Sequence, residues 1–317
     1  MSGPLPTYLV TGASGFLGRP VLDLLASTEE ESAPARVITA GRSRPSETSG
    51  IPFLQADLTR PDEIRGVLQA SQPSIILHLA GRTPPASAEE LYQANTLVTA
   101  HLLDAIREWG QPVRLVLAGS AAELGPVAEA DLPVSEAYPC RPAGPYGLSK
   151  WLATCAGLAA REPAEVVVAR IFNPIGPGLP ESQALGRFAA HLCDPNVQTL
   201  QVGSLESRRD FIDVRDVARA LLALAHRGKP GNVYHVGTGE SHRVGEGLAF
   251  LRRQPGGDRV TIQTDPVRAA QAGPDDSRAD IRRIVAHTGW TPRISWEQSL
   301  EDLWHEAQRR ARLPLTG

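Results

Sequence analysis

Short apolar runs alternate with helix-period segments through the first half of the chain. Tyr8-Leu-Val-Thr11 is β-rich, and behind it Val21, Leu22, Leu24 and Leu25 recur with the period of an amphipathic helix. Arg36-Val-Ile-Thr-Ala40 predicts a second strand, and Ile51 to Leu58 a third that ends in an acidic turn at Asp57. A helix opening at Pro61 follows, proline being suited to a first helical position. Ile75-Ile-Leu-His78-Leu-Ala80 is apolar throughout, as a strand covered on both faces of a parallel sheet must be. The pattern then predicts a long helix from about Ala88 to Trp109, a fifth strand over Val113–Ser120 and a sixth over Glu165–Arg170. A helix over Asp213–Ala225 and a strand over Gly231–Gly237 come later. Strands alternating with helices predict the α/β class, with a doubly wound parallel sheet.

Composition narrows the functional classes. The formal net charge is −3 with no clustered basic face, so nucleic acid is not an expected partner. No apolar run reaches about 18 residues, so no membrane span is expected. Met1-Ser-Gly-Pro-Leu-Pro lacks the basic and apolar regions of a signal peptide. Cys140, Cys155 and Cys193 are odd in number and form no Cys-x-x-Cys pair. They fit reduced cytoplasmic thiols better than a disulfide framework or a zinc site, so no metal is expected.

Three places carry candidate chemistry. Gly12-Ala-Ser14-Gly15-Phe16-Leu17-Gly18 falls between the first strand and first helix, the context a dinucleotide fingerprint requires. Gly12 allows a tight turn, Gly15 lets the backbone approach a pyrophosphate on the helix N-terminus, and Gly18 lets helix and strand pack closely. Arg42 follows the second strand, where an acidic residue would take the ribose hydroxyl of NAD; an arginine clamps a 2′-phosphate, which favours NADP, unless it is a solvated loop residue. Ser120 ends the fifth strand, on the sheet edge where ligands bind, and no nucleophile elbow surrounds it. Tyr146-Gly-Leu-Ser-Lys150 places a phenol and an ammonium on one helical face, where the ammonium is expected to lower the phenol's pKa for acid–base work. His78 reads as a packed histidine rather than a catalyst.

Thr11-Gly-Ala-Ser-Gly-Phe-Leu-Gly18, Asp57-Leu58, His78-Leu79-Ala80, Asn95, Ser120 and Tyr146-x-x-x-Lys150 resemble, in order and spacing, the extended short-chain dehydrogenase/reductases. This is the NAD-dependent epimerase/dehydratase family of sugar-nucleotide enzymes. The second half is most similar to the GDP-4-keto-6-deoxymannose reductases. The resemblance implies a Rossmann domain over 1–172 joined by 211–236, and a smaller α+β substrate domain over 173–210 and 237–317. It implies NADP, with NAD possible, held by Gly12, Ser14, Gly15, Phe16, Leu17, Gly18, Arg42, Asp57, Leu58, Leu79, Ala80, Gly81 and Lys150. It makes Ser120, Tyr146 and Lys150 catalytic, with Asn95 fixing a helix distortion or a proton-relay water. Thr83, Asn173, Arg209 and Arg268 would meet a nucleoside-diphosphate sugar, unless the arginines form surface salt bridges with Asp210 or Asp265.

The sequence departs from its relatives around the serine. Ala121 and Ala122 occupy the places where a 4,6-dehydratase needs an acid and a base, which disfavours dehydration. Leu124 stands where an aromatic is usual, and residues 269–280 drift from the pattern. The expected activity is NAD(P)H-dependent reduction of a nucleoside-diphospho-4-keto-6-deoxyhexose. The alternatives are a 4-epimerase with tightly held NAD and a non-catalytic NADP-sensing protein. Relatives dimerise through a four-helix bundle, and a homodimer is expected, with Leu102, Leu103, Ile106, Leu152 and Leu158 supplying either that face or plain core.

Overall fold

The structure, a computed structural model, describes residues 5–27, 35–45, 50–270 and 276–312. β1 (Thr7–Thr11), α1 (Gly18–Ala26), β2 (Arg36–Gly41), β3 (Phe53–Gln55), α2 (Pro61–Ser71) and β4 (Ile75–His78) open the chain. α3 (Ala88–Leu91) runs through a π-helical turn, Tyr92–Leu97, into α4 (Val98–Trp109). β5 (Val113–Ser120), α5 (Pro145–Ala159), β6 (Ala164–Ile171), β7 (Asn173–Ile175) and α6 (Ala184–Cys193) follow. Next come β8 (Thr199–Val202), β9 (Arg208–Arg209), β10 (Phe211–Asp213), α7 (Val214–Arg227) and β11 (Asn232–Val236). β12 (His242–Arg243), α8 (Val244–Arg252), β13 (Thr261–Thr264), α9 (Pro266–Ala270), α10 (Arg282–Thr288) and α11 (Trp296–Arg312) complete it.

The central sheet has the order β3-β2-β1-β4-β5-β6-β11, and every pairing in it is parallel. The expected doubly wound α/β sheet is therefore present. Strand order reverses between β1 and β4, which opens the crevice where ligands of such sheets bind. Alternation along β1 feeds both faces. Tyr8 and Val10 join Leu221 and Leu224 of α7, whereas Leu9 joins Leu68 of α2 and Leu102 and Ile106 of α4. Leu102 and Ile106 are thus core, and Leu103 and Leu158 pack against the same cluster.

A separate apolar cluster gathers Phe188 of α6, Leu200 of β8, Leu251 of α8 and Trp304 of α11. Three two-stranded sheets, β10 with β7, β12 with β9 and β13 with β8, lie in this later part of the chain. Helix boundaries follow local chemistry. α7 begins one residue later than its apolar period because Asp213 is its N-cap, accepting the Arg215 N–H at 2.8 Å. No helix among the described residues is long and apolar enough to cross a membrane.

Candidate active site

The glycine turn is tight because side chains have no room there. Gly12 has φ +71°, and a Cβ on it would lie 2.5 Å from the Ala80 nitrogen and 2.6 Å from the Leu79 carbonyl carbon. A Cβ on Gly18 would meet the Ala13 oxygen at 2.4 Å, so α1 starts in contact with the turn. The loop closes on itself through Gly15 N–H to Gly12 O and Gly18 N–H to Gly15 O, each 3.0 Å. A cavity of about 240 Å³ opens beside it, lined in part by Ser14, Gly15, Phe16, Arg19, Pro177 and Gly178. Leu17 packs against the core beneath. These features fit a dinucleotide, whose pyrophosphate needs close backbone approach at a helix N-terminus.

Arg42 is exposed immediately after β2 and near Asp57. Asp57 accepts from the Thr59 N–H at 3.0 Å and the Thr59 hydroxyl at 2.8 Å. Those bonds, with Arg42 and Arg60 adding attraction, hold its carboxyl below the usual range. Leu58 packs against the core under α2.

Across the crevice, α5 brings Tyr146 and Lys150 to one face. Gly144 precedes the helix and Pro145 occupies its first turn. The Tyr146 phenol at the start of α5 stands beside Ser120 at the end of β5. Lys150 is buried, and a Cβ on Gly81 would lie 3.9 Å from its Nζ. Gly81, Ser120, Tyr146 and Lys150 therefore lie close together at the carboxyl ends of β4 and β5.

Electrostatics here differ from the sequence expectation. Burial pushes the Tyr146 phenol above its ordinary value, Ser120 opposes this, and the negative charge of Glu123 reinforces it. Burial pushes Lys150 down, opposed by the same Glu123. The polypeptide thus favours the protonated phenol, because burial and the negative charge of Glu123 act on it in the same direction.

Asn95 lies in the π-helical turn and is buried. Its Oδ1 accepts the Arg82 N–H at 2.8 Å, and its Nδ2 donates to the Arg82 carbonyl at 3.0 Å and the Ser149 hydroxyl at 2.9 Å. The Ser149 hydroxyl donates to the Tyr146 carbonyl at 2.8 Å. The extra residue of a π turn is what lets the amide reach both segments.

The substrate candidates are more scattered. Thr83 is exposed on the loop after β4. The Asn173 side chain donates to the Asp210 carbonyl at 3.1 Å, and one Arg209 amine donates to the Arg208 carbonyl at 2.7 Å. Asp210 is a buried hub, accepting from Thr238 N–H and hydroxyl and from the Gly239 and Ala279 N–H groups at 2.7 to 3.0 Å. The Arg268 side chain lies outside the described residues.

Three buried groups under the pocket escape a reading of motifs: Glu123, Arg170 and His235. One local signal existed. Ser120-x-x-Glu123 is a capping-box spacing, and both of its reciprocal bonds are present.

The chain belongs to the NAD dependent epimerase/dehydratase family, whose sequence pattern matches residues 8–237. It is 32% identical to a GDP-6-deoxy-D-mannose reductase of Pseudomonas aeruginosa, over 96% of this chain and 97% of that one. It is 31% identical to a dTDP-6-deoxy-L-talose 4-dehydrogenase (NAD(P)(+)) of Kitasatospora kifunensis, over 93% of both. The solved structure of RMD from Pseudomonas aeruginosa complexed with NADPH superposes with a TM-score of 0.82 at 31% identity, over 96% of this chain and all of that one.

Proposed function

We propose that the protein is an NADP-preferring nucleotide-sugar 4-ketoreductase, reducing the 4-keto group of a nucleoside-diphospho-4-keto-6-deoxyhexose. The observation that carries this reading is the placement of the Tyr146 phenol beside Ser120 and on the helix of buried Lys150, with alanines at 121 and 122. Such a site handles a proton on one oxygen and lacks the second acid–base pair that elimination needs. The reductase and 4-dehydrogenase likenesses support it.

The glycine turn, Asp57, Leu58, Leu79, Ala80, Gly81 and Lys150 hold the dinucleotide, and Arg42 takes its 2′-phosphate. When bound, the nicotinamide supplies the hydride that reaches the sugar C4. Tyr146 gives its proton to the carbonyl oxygen, Ser120 donates a hydrogen bond to that oxygen, and Lys150 supports the charge left on Tyr146. Asn95 holds the Tyr146 helix in register. Residues 1–172 with 211–236 form the cofactor domain; 173–210 with 237–317 form the substrate domain, where Thr83 reaches from the first and Asn173, Arg209 and Arg268 take the nucleoside diphosphate. Three free cysteines suit a reducing cytoplasm.

The test is NADPH oxidation with 4-keto-6-deoxyhexoses on the common nucleoside diphosphates. Turnover on one of them, lost about 10²- to 10⁴-fold in Tyr146→Phe with NADPH binding retained, is expected. No oxidation on any base, or NAD that stays bound through gel filtration, would overturn the reading.

A further inference from the structure

Glu123 sits beneath the reactive groups and takes no part in the steps above. It closes the short 3₁₀ turn Ala121–Glu123 after β5 and is completely buried. Its Oε1 accepts the Ser120 N–H at 2.7 Å, and its Oε2 accepts Nε and one Nη of Arg170 at 3.0 and 2.9 Å. Arg170, buried on β6, also donates to His235 Nε2 at 3.3 Å and to the Cys140 sulfur at 3.2 Å. His235 donates its Nδ1–H to the Val134 carbonyl at 3.1 Å, which leaves Nε2 as the acceptor Arg170 needs. Burial first, then Arg170, holds that ring neutral, with its pKa lowered to about 3.

The backbone is cut to fit this carboxylate. A Cβ on Gly119 would stand 2.7 Å from Oε1, and a Cβ on Gly147 would stand 2.3 Å from the Ala122 carbonyl oxygen. The helix bearing Tyr146 and Lys150 therefore rests on the turn that carries Glu123. Facing Glu123 are Arg170 from β6, Lys150, Tyr146 and the Cys155 thiol from α5, and the Cys140 thiol from the preceding loop. Burial pushes its carboxyl up. The two-pronged Arg170 contact, the Ser120 N–H and Lys150 all favour the anion, and a guanidinium so placed requires it.

We propose that Glu123 is a positioning residue for the reduction: anchored by Arg170, it pins the Ser120 backbone from below and supplies the anionic counter-charge for Lys150. The proposal rests on the ketoreductase reading, in which Ser120 and Tyr146 act on one carbonyl oxygen. The anion beside Tyr146 disfavours phenolate, so the proton stays available to give. Beside Lys150 it favours the ammonium that steadies the phenolate once the proton has left. A site working as a reductase needs both.

Glu123→Gln alone would strand the buried Arg170 charge, so the test uses two double variants. E123Q/R170M removes both charges and keeps an oxygen for the Ser120 N–H; E123A/R170M removes that oxygen too. Cooperative melting establishes that each is folded. The first readout needs no substrate: ζ-¹³C-tyrosine NMR titration, with Tyr146 assigned among five tyrosines by its loss in Tyr146→Phe. The Tyr146 midpoint is expected to fall in both doubles relative to the wild type. In turnover, kcat of E123A/R170M is expected about tenfold below that of E123Q/R170M, with KM within about twofold. An unmoved midpoint in the folded doubles, or equal kcat in the two, would overturn the proposal. Failure of the ketoreductase reading shows differently, as a wild type that oxidises no NADPH on any keto sugar while the titration still reports on Glu123.

Discussion

Asn95 donates across 2.9 Å to the Ser149 hydroxyl, which donates in turn to the Tyr146 carbonyl. A side chain that meets neither the phenol nor the ammonium thereby ties the π-helical turn to the helix that carries both. Its remaining bonds tie the same turn to Arg82, two residues beyond Ala80. Asn95→Ala removes all three contacts and leaves buried polar groups without partners. The expected cost is about 2 kcal/mol in urea unfolding. Turnover should fall further than NADPH affinity, since the displaced element is the Tyr146 helix. Unchanged stability and kcat would show that the turn holds its shape without this amide.

If Tyr146 is the proton donor, as proposed, it sets the pH dependence of reduction. Burial and the Glu123 charge both raise its pKa above the ordinary value of 10.0. Reduction consumes the protonated phenol, so its rate is fully expressed below that raised pKa and is lost as pH climbs through it. Reductive kcat is therefore expected to stay flat from about pH 6 to about pH 9 and to fall only beyond the usual tyrosine range. The reverse, oxidising reaction needs phenolate and should rise with pH over the same interval. A reductive limb that falls near neutrality would mean that another group limits the proton transfer.

What could be read from the residues, and what could not, follows a physical divide. The sheet was legible because fully apolar strands and glycine turns have local causes; Gly12 is fixed by its positive φ and by Ala80 behind it. The Tyr146–Lys150 pairing is equally local, one turn of helix. The direction of the Tyr146 shift was not legible, because it depends on burial and on Glu123, which α5 meets only in the folded chain. Nor was the Glu123–Arg170–His235 network, whose members are brought together from the turn after β5, from β6 and from β11. The π turn is invisible to a 3.6-residue period, which reads one continuous helix from Ala88 to Trp109. Periodicity also named apolar faces without saying which way they point. Leu102 and Ile106 went to the core, whereas Leu152 stayed in the open.

That exposed face predicts assembly. Leu97 at the end of the π turn is 48% exposed, and Leu148 and Leu152 on α5 are 37% and 41% exposed. Leu148 and Leu152 are four residues apart on one helical stripe. Large apolar side chains grouped this way are expected to form a contact surface, with a second copy of this chain as the expected partner. Sedimentation is expected to show a dimer that Leu152→Glu converts to a monomer still able to bind NADPH. A monomeric wild type at micromolar concentration would remove this assignment.

In the proposed function, Arg42 is expected to decide the cofactor. A 2′-phosphate distinguishes NADPH from NADH, and an arginine after β2 is the residue expected to meet it. Hydrogen bonds to charged groups contribute about 1.5–3 kcal/mol, so Arg42→Ala should weaken NADPH binding about ten- to a hundredfold and leave NADH nearly unchanged. Asp57 sharpens the test. Its carboxyl is held down by Thr59 and lies near Arg42, so in the variant an anion faces the incoming phosphate with its counter-charge gone. Adding Asp57→Asn to Arg42→Ala is therefore expected to recover part of the NADPH affinity, and the wild-type preference should shrink with rising salt. Equal losses for the two cofactors would mean that Arg42 acts through the shape of its loop. Preference for NADH in the wild type, with NAD retained through purification, would leave the site better suited to oxidising and re-reducing one sugar carbon than to releasing its cofactor at each turnover.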